Sequence, residues 1–201
     1  MMGKNMTDRF NVTTRNGHPL GEVASAFQKA IRRGLEDEAL HWGIELDTSN
    51  FSEYAWKRLR IMASEDIGLA EPTIPATIFA LYQNWVDQRK KKDSKHGPER
   101  LFFIHAILLL VRARKSRIVD HALIAYYGNH DHRPIPDYAL DKHTGAGRRL
   151  GRGVVHFFEE GIQLGNKAEL QDPYQKKARE TLLRDERKPF DNNDSLFDVP
   201  E

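Results

Sequence analysis

Residues 25–72 read SAFQKAIRRGLEDEALHWGIELDTSNFSEYAWKRLRIMASEDIGLAEP, and this stretch decides the fold class. Its apolar residues recur at helical spacing, so that Phe27, Ala30 and Ile31 fall on one stripe. Gly34 and the polar turn near Asn50 divide the stretch into three segments. This pattern predicts three short helices in succession.

Helical periodicity continues to about residue 128, is weak over residues 130–153 and returns in two shorter segments, and few segments alternate as a strand would. We therefore predict an all-α fold, a compact bundle of about six to eight helices. The domain prediction is a flexible arm at residues 1–20, one helical domain at 21–188 and an acidic disordered tail at 189–201. Five predicted helices have approximate bounds: 23–34, 36–46, 99–113, 154–160 and 173–187. Three more are predicted from their start signals, which are a capping box at Asn50 and Glu53, Thr73, and a cap at Ser116.

Composition limits the classes of protein to which the chain can belong. The 201 residues have a net charge of +2, but the last thirteen carry four acids and no Lys or Arg, so the rest is mildly basic. Without cysteine, disulfides and thiolate metal sites are excluded. The longest apolar run, 101–111, is too short to span a bilayer, and the N-terminal residues lack the apolar core that a signal peptide has. We expect a cytoplasmic protein without membrane contact or cofactor.

Three motifs in the opening stretch resemble a known family. They are SAFQKAIR at 25–32, ALHW at 39–42 and AWKRLRIMASEDIGLA at 55–70. They are similar to the helical domain that follows the motor in the RarA/MgsA replication-associated recombination ATPases, relatives of the clamp loaders. The resemblance implies a clamp-loader-like C-terminal domain that assembles into a homo-oligomer, commonly a tetramer, and works in DNA replication and repair.

The motor of that family has no counterpart in these residues. Its ATPases hold phosphates with a loop of the form G-x-x-x-x-G-K-[ST]. None of the 14 glycines begins such a loop. The resemblance covers about residues 23–160 and is strong only in the first third, with weaker matches at Lys115-Ser116 and at the turn Gly151-Arg152-Gly153. We therefore expect a non-enzymatic accessory domain that does not hydrolyse ATP.

An arginine-glycine segment, Gly145–Gly153, is the best candidate for contact with DNA phosphates. Its glycines allow backbone amides to approach a phosphate, and Arg148, Arg149 and Arg152 could bind it through paired hydrogen bonds. Lys115 joins them as a candidate. The alternative is a basic surface loop or a loop that contacts a neighbouring subunit.

Histidines follow the helix that is predicted to begin at Ser116, and they suggest a rival function. His130, His132 and His143, with nearby aspartates, could bind a metal ion for a phosphate-handling hydrolase or nuclease built on residues 130–156. The helical H-E-x-x-H motif is missing, however. The alternative is a polar loop whose histidines cap helices. A third possibility is an interaction module without DNA contact.

The remaining candidates are structural or concern partners. The Glu65-Asp66 pair is expected to form a buried charge network with Arg58 or Arg60. The aromatic residues Trp56, Tyr82 and Trp85 are expected to bury at a subunit interface.

The acidic tail contains a candidate peptide motif. Ser195, Leu196 and Phe197 match part of the peptide that binds the bacterial sliding clamp, commonly written Q-L-[SD]-L-F, whereas the two residues before them do not. An extended tail with two adjacent apolar side chains suits docking in a hydrophobic groove. The sequence therefore predicts the sliding clamp as a possible partner.

Overall fold

Helices account for the regular structure, as the apolar spacing predicted. The computed structural model describes residues 12–90 and 97–186. Those residues contain no β-strand, only an isolated bridge between Thr13 and Pro19. The all-α prediction is therefore confirmed. The α-helices are α1 (Leu20–Arg33), α2 (Glu36–Thr48), α3 (Ser52–Met62), α4 (Ile74–Lys90), α5 (Glu99–Arg112), α6 (Ile118–Gly128), α7 (Gly145–Arg149), α8 (Val154–His156) and α9 (Gln175–Glu186).

The chain divides into two compact units, Met1–His130 and Asp131–Glu201. This division does not test whether the units fold separately, so the single domain at 21–188 stays a prediction. The tail at 189–201, including the clamp motif, lies outside the described residues, as do residues 1–11 of the arm.

The core of the first unit is centred on α5, which contacts α1, α2, α3 and α4. Its sequence is apolar on most sides, and Phe103, Ile107 and Leu110 are fully buried. Trp56 of α3 lies with its ring centroid 5.6 Å from that of Phe103, in an edge-to-face geometry favoured by aromatic pairs. These contacts fix α3 and α4 against the core.

Two helix boundaries illustrate what local sequence can specify. Gly34 ends α1 in the left-handed conformation, with φ 71°, as a glycine at this position predicts. The capping box at Asn50 and Glu53 is wrong, because Phe51 precedes α3 and no side chain caps that end. Asn50 instead has φ 64°, which makes it part of the turn between α2 and α3.

A helical linker follows α3 and leads to α4. Residues Ala63–Ile67 form a π-helical turn and Gly68–Ala70 form a 3₁₀ turn. Gly68 has φ 44°, and a Cβ there would lie 2.8 Å from a methyl carbon of Val119. This close approach brings α6 against the two turns.

The second unit is built from short helices. Thr144 caps α7, since its hydroxyl accepts a hydrogen bond from the Gly147 amide at 3.0 Å. Helix α8 continues as a π-helical turn, Phe157–Gly161, and its first amide, on Val154, donates to Glu186 of α9 at 2.7 Å. In the described parts of both units, no helix is long and apolar enough to cross a membrane.

Candidate functional site

A cluster of charged side chains lies where α3 passes into the π-helical turn. Asp66 is fully buried there. Arg32 of α1 donates from Nε to Asp66 Oδ1 at 2.6 Å and from Nη2 to Glu65 Oε1 at 2.9 Å. Arg117 donates from Nη1 to the same two oxygens, at 3.0 and 3.1 Å. We call Arg32, Glu65, Asp66 and Arg117 the Asp66 cluster.

The Asp66 cluster joins three elements that are far apart in sequence. Arg117 also bonds Asp120, one turn into α6, and the Ser116 amide donates to the Asp66 carbonyl at 2.8 Å. The same two guanidinium groups engage both carboxylates in charge-assisted hydrogen bonds. The arrangement positions helices and does not resemble a catalytic pair.

A structural role was predicted for the pair Glu65-Asp66, but the predicted partners, Arg58 or Arg60, are wrong. Arg58 is partly buried, and its Nε has no hydrogen-bond partner among the described residues. Arg60 instead lies over the ring of Tyr82, 4.8 Å from its centroid. Both arginines are on α3 itself, and the acids meet arginines from outside it.

Lys115 lies beside the Asp66 cluster and caps the end of α5. Its Nζ donates to the carbonyls of Leu110, Val111 and Ala113 at 2.8, 2.9 and 2.6 Å. Burial lowers the pKa of this ammonium group, while the charge of Asp66 acts in the opposite direction. All three donors are engaged, so phosphate contact by Lys115 would require these bonds to break.

The arginine-glycine segment forms α7 and the turn after it, and its three arginines differ in what they contact. Arg152 binds both carboxylate oxygens of Asp137, at 2.6 and 2.8 Å, and the carbonyls of Asp137 and Leu140. Arg148 lies near two carbonyls, at 3.3 and 3.4 Å. Arg149 is exposed, and its side chain makes no hydrogen bond or ion pair within the described residues. Arg149 is therefore the most available of the three for a phosphate.

Asp141 organises the loop before α7. Its side chain accepts from the amide of His143 at 2.9 Å and meets His143 Nδ1 at 3.1 Å. Burial opposes ionisation of Asp141, but the bonds to His143 prevail and its pKa lies below the usual value. A Cβ on Gly147 would lie 1.8 Å from the Asp141 carbonyl oxygen, so only glycine fits at this crossing.

The histidines do not form a metal centre in the parts of the chain that the structure describes. No three His, Asp or Glu side chains converge there as possible ligands. His143 is occupied with Asp141 and packs edge-on against Phe157. His130 and His132 are exposed. The hydrolase or nuclease alternative gains no support from this geometry.

The predicted interface aromatics belong largely to the core of one chain. Trp56 and Trp85 are fully buried, and their ring centroids lie 5.7 Å apart. Tyr82 is partly exposed, with its hydroxyl donating to Glu53 at 3.1 Å. A second chain could reach only Tyr82 without rearrangement. The interface role of the three residues stays a prediction.

Helix α6 is the surface that residue-by-residue reasoning overlooked. It reads IVDHALIAYYG, and none of its residues is buried. Tyr127 is 86% exposed, and large apolar side chains around it are also exposed. They are Ile118, Leu123, Ile124 and Tyr126. A helix this apolar is normally packed against another element or another chain on at least one face. The apolar composition of α6 was therefore the sequence signal for a contact surface.

One comparison with known proteins connects this fold to a function. The chain is similar to replication-associated recombination protein A of Bacillus subtilis (strain 168). The two are 28% identical over an alignment of 170 residues, and the match covers 81% of this chain and 38% of that protein. The chain thus spans well under half of its relative's length. No protein-family model matches the chain. The similarity is consistent with a distant relative of that recombination protein.

Proposed function

We propose that this chain is a non-enzymatic, oligomeric helical protein of DNA replication, recombination and repair. Its counterpart is the C-terminal helical domain of the RarA family, and its location is the cytoplasm. Similarity to a replication-associated recombination protein over 81% of the chain supports the pathway. The motifs at 25–32, 39–42 and 55–70 support the domain assignment.

The observation that carries the oligomeric part of this proposal is the exposure of α6. Its apolar residues occupy the solvent-facing positions of an eleven-residue helix. Its single acid, Asp120, is already paired with Arg117. A surface with little unpaired charge suits contact with an identical surface, because no opposite charge has to be supplied by the partner. We therefore assign the subunit contact to α6, and the family resemblance makes a tetramer the expected assembly.

Light scattering coupled to size exclusion tests this assignment. Leu123→Glu with Tyr127→Glu places two charges on one face of α6, where both side chains are exposed and their loss leaves the core intact. We expect the wild-type chain to have a multiple of 23.2 kDa and the double variant to approach the monomer mass.

A matched control uses exposed leucines of the second unit. Leu164→Glu with Leu170→Glu adds the same charge at two highly exposed apolar positions. This control should keep the wild-type mass. A wild-type monomer at high micromolar concentration contradicts the oligomer. An oligomer that survives the α6 changes places the contact elsewhere, for example at the face around Tyr82.

The DNA part of the proposal rests on the basic segment at 145–153. Arg149 is free of protein partners among the described residues, and Arg148 makes only long contacts to carbonyls. Both can reach a phosphate without breaking an ion pair. Arg152 is more deeply engaged and is assigned the role of holding the loop. Binding of the sliding clamp by Ser195, Leu196 and Phe197 remains a further prediction of the same proposal.

A further inference from the structure

A groove runs between α3 and α4 on the first unit. Its volume is about 600 Å³. Two of the lining residues are cations, three are apolar and none is an acid. The lining residues are Lys57, Arg60, Ile61 and Ser64 on α3 and the turn after it, and Pro75 and Phe79 on α4.

The two cations of this groove are not neutralised. Lys57 is exposed and makes no ion pair with any described residue. Arg60 is also exposed, and its guanidinium lies over the Tyr82 ring, which leaves its N–H groups free to donate outward. By contrast Arg32 and Arg112 on neighbouring helices each bind a carboxylate in two hydrogen bonds. Lys57 and Arg60 are three residues apart, so they lie on one face of α3.

The opposite wall of the groove presents an aromatic face. Phe79 of α4 is 51% exposed, although phenylalanine usually buries, and Ile61 on the α3 wall is 38% exposed. An exposed ring next to unpaired cations is the combination by which proteins hold single-stranded nucleic acid, because bases stack on the ring and phosphates meet the cations.

We propose that this groove binds single-stranded DNA, with phosphates on Lys57 and Arg60 and a base stacked on Phe79. The proposal rests on the DNA role proposed above and adds a second site on the other unit. Duplex DNA is disfavoured, since its base faces are already stacked and cannot cover Phe79. An acidic peptide fits less well, because Ser64 is the only uncharged polar side chain available to bond a peptide backbone.

Fluorescence anisotropy with a labelled oligothymidylate of about 20 nucleotides tests the groove on the full chain at low salt. We expect Lys57→Glu with Arg60→Glu to weaken binding on the order of tenfold or more. The control is Lys29→Glu with Arg33→Glu, two exposed and unpaired cations on α1 that change the net charge equally. It should weaken binding by no more than about twofold.

A second pair of measurements isolates base stacking and does not depend on charge. Phe79→Ala should weaken binding of the oligothymidylate by about fivefold or more. The same substitution should have no effect on an abasic oligonucleotide of equal length, which keeps the phosphates and lacks the bases. Since Phe79 is half exposed, its replacement leaves the core unchanged.

The outcomes separate failure of the groove from failure of the DNA role. In one outcome the wild-type chain binds the oligothymidylate and the variant Arg148→Ala with Arg149→Ala loses that binding. If Lys57→Glu with Arg60→Glu then binds as well as its control, the groove proposal is overturned and the DNA role stands. If the wild-type chain binds no DNA, both are overturned, and the oligomer is still decided by light scattering. In another outcome the wild-type chain binds a labelled glutamate-rich peptide but no DNA, and Lys57→Glu with Arg60→Glu abolishes peptide binding. The groove would then be a peptide site, which also overturns the proposal.

Discussion

Asp66 depends on two arginines for its buried charge, and this dependence can be measured. Asp66→Ala removes the acceptor that Arg32 and Arg117 share and leaves two guanidinium groups, each about one-third exposed, beside a void. Breaking a buried ion pair typically costs about 3–5 kcal/mol. Partial exposure of both arginines reduces that value, so we expect a loss of about 2–3 kcal/mol in the free energy of unfolding. Urea denaturation measures it.

A surface aspartate supplies the control for that experiment. Asp87 is largely exposed and lies 3.5 Å from Lys90 one turn away. Asp87→Ala should change the free energy of unfolding by less than about 0.5 kcal/mol, as exposed pairs usually do. If both variants behave alike, the Asp66 cluster does not stabilise the fold, and its carboxylates serve another purpose.

The same cluster shows the limit of sequence reasoning at single residues. A structural role for Glu65 and Asp66 was predicted because adjacent residues on a helix point in different directions and cannot share one proton-transfer site. Their partners were not predicted, because Arg32 and Arg117 lie 34 and 51 residues from Asp66 along the chain. Only the packing of α1 and α6 against the π-helical turn decides which arginine is near.

Among the elements, the turn before α1 is held by a single acid. Glu45 of α2 is buried and accepts from Asn16 through the amide at 3.2 Å and the side chain at 2.6 Å. A hydrogen bond from the Thr14 hydroxyl is the main cause that lowers the pKa of Glu45, and burial opposes it. The acid is therefore more easily ionised in the folded chain than in the unfolded chain.

This shift predicts how stability depends on pH. Because the pKa of folded Glu45 lies below the unfolded value of about 4.3, its contribution is complete above that pH and is lost as pH falls through the folded value. Urea midpoints of wild type and Glu45→Gln should therefore converge as pH decreases below about 4. A difference between wild type and Glu45→Gln that stays constant across this pH range would contradict the prediction.

The sequence predicted where helices lie along the chain better than it predicted what packs against each helix. Apolar spacing predicted α5 as the core helix, and α9 at Gln175–Glu186 lies within the range predicted from about 173 to 187. The sequence also showed that α6 is apolar. It did not show that α6 lies at the surface, since periodicity reports which residues avoid water and not what covers them.

At the scale of the whole molecule, the proposed DNA contacts should appear in the salt dependence of binding. Each neutralised phosphate releases counterions, which contributes about one unit to the slope of log affinity against log salt. Arg148→Ala with Arg149→Ala should therefore lower the slope by about two units. Arg152→Ala should leave the slope nearly unchanged, because Arg152 is already bonded to Asp137 and to two carbonyls. Anisotropy titrations with duplex DNA between low and moderate salt measure the slope.

The loss of any two positive charges also weakens DNA binding, so the change in slope has to be compared with that of a matched variant in the same unit. Lys176→Ala with Lys177→Ala removes two exposed positive charges from α9. Non-specific loss of charge acts through the field of the whole molecule and should change affinity slightly without changing the slope by two units. Circular dichroism and light scattering must first show that each variant is folded and has the wild-type mass. If the arginine variant then keeps the wild-type slope, the segment at 145–153 contacts no phosphate, and its cations belong to a loop or to a contact between subunits.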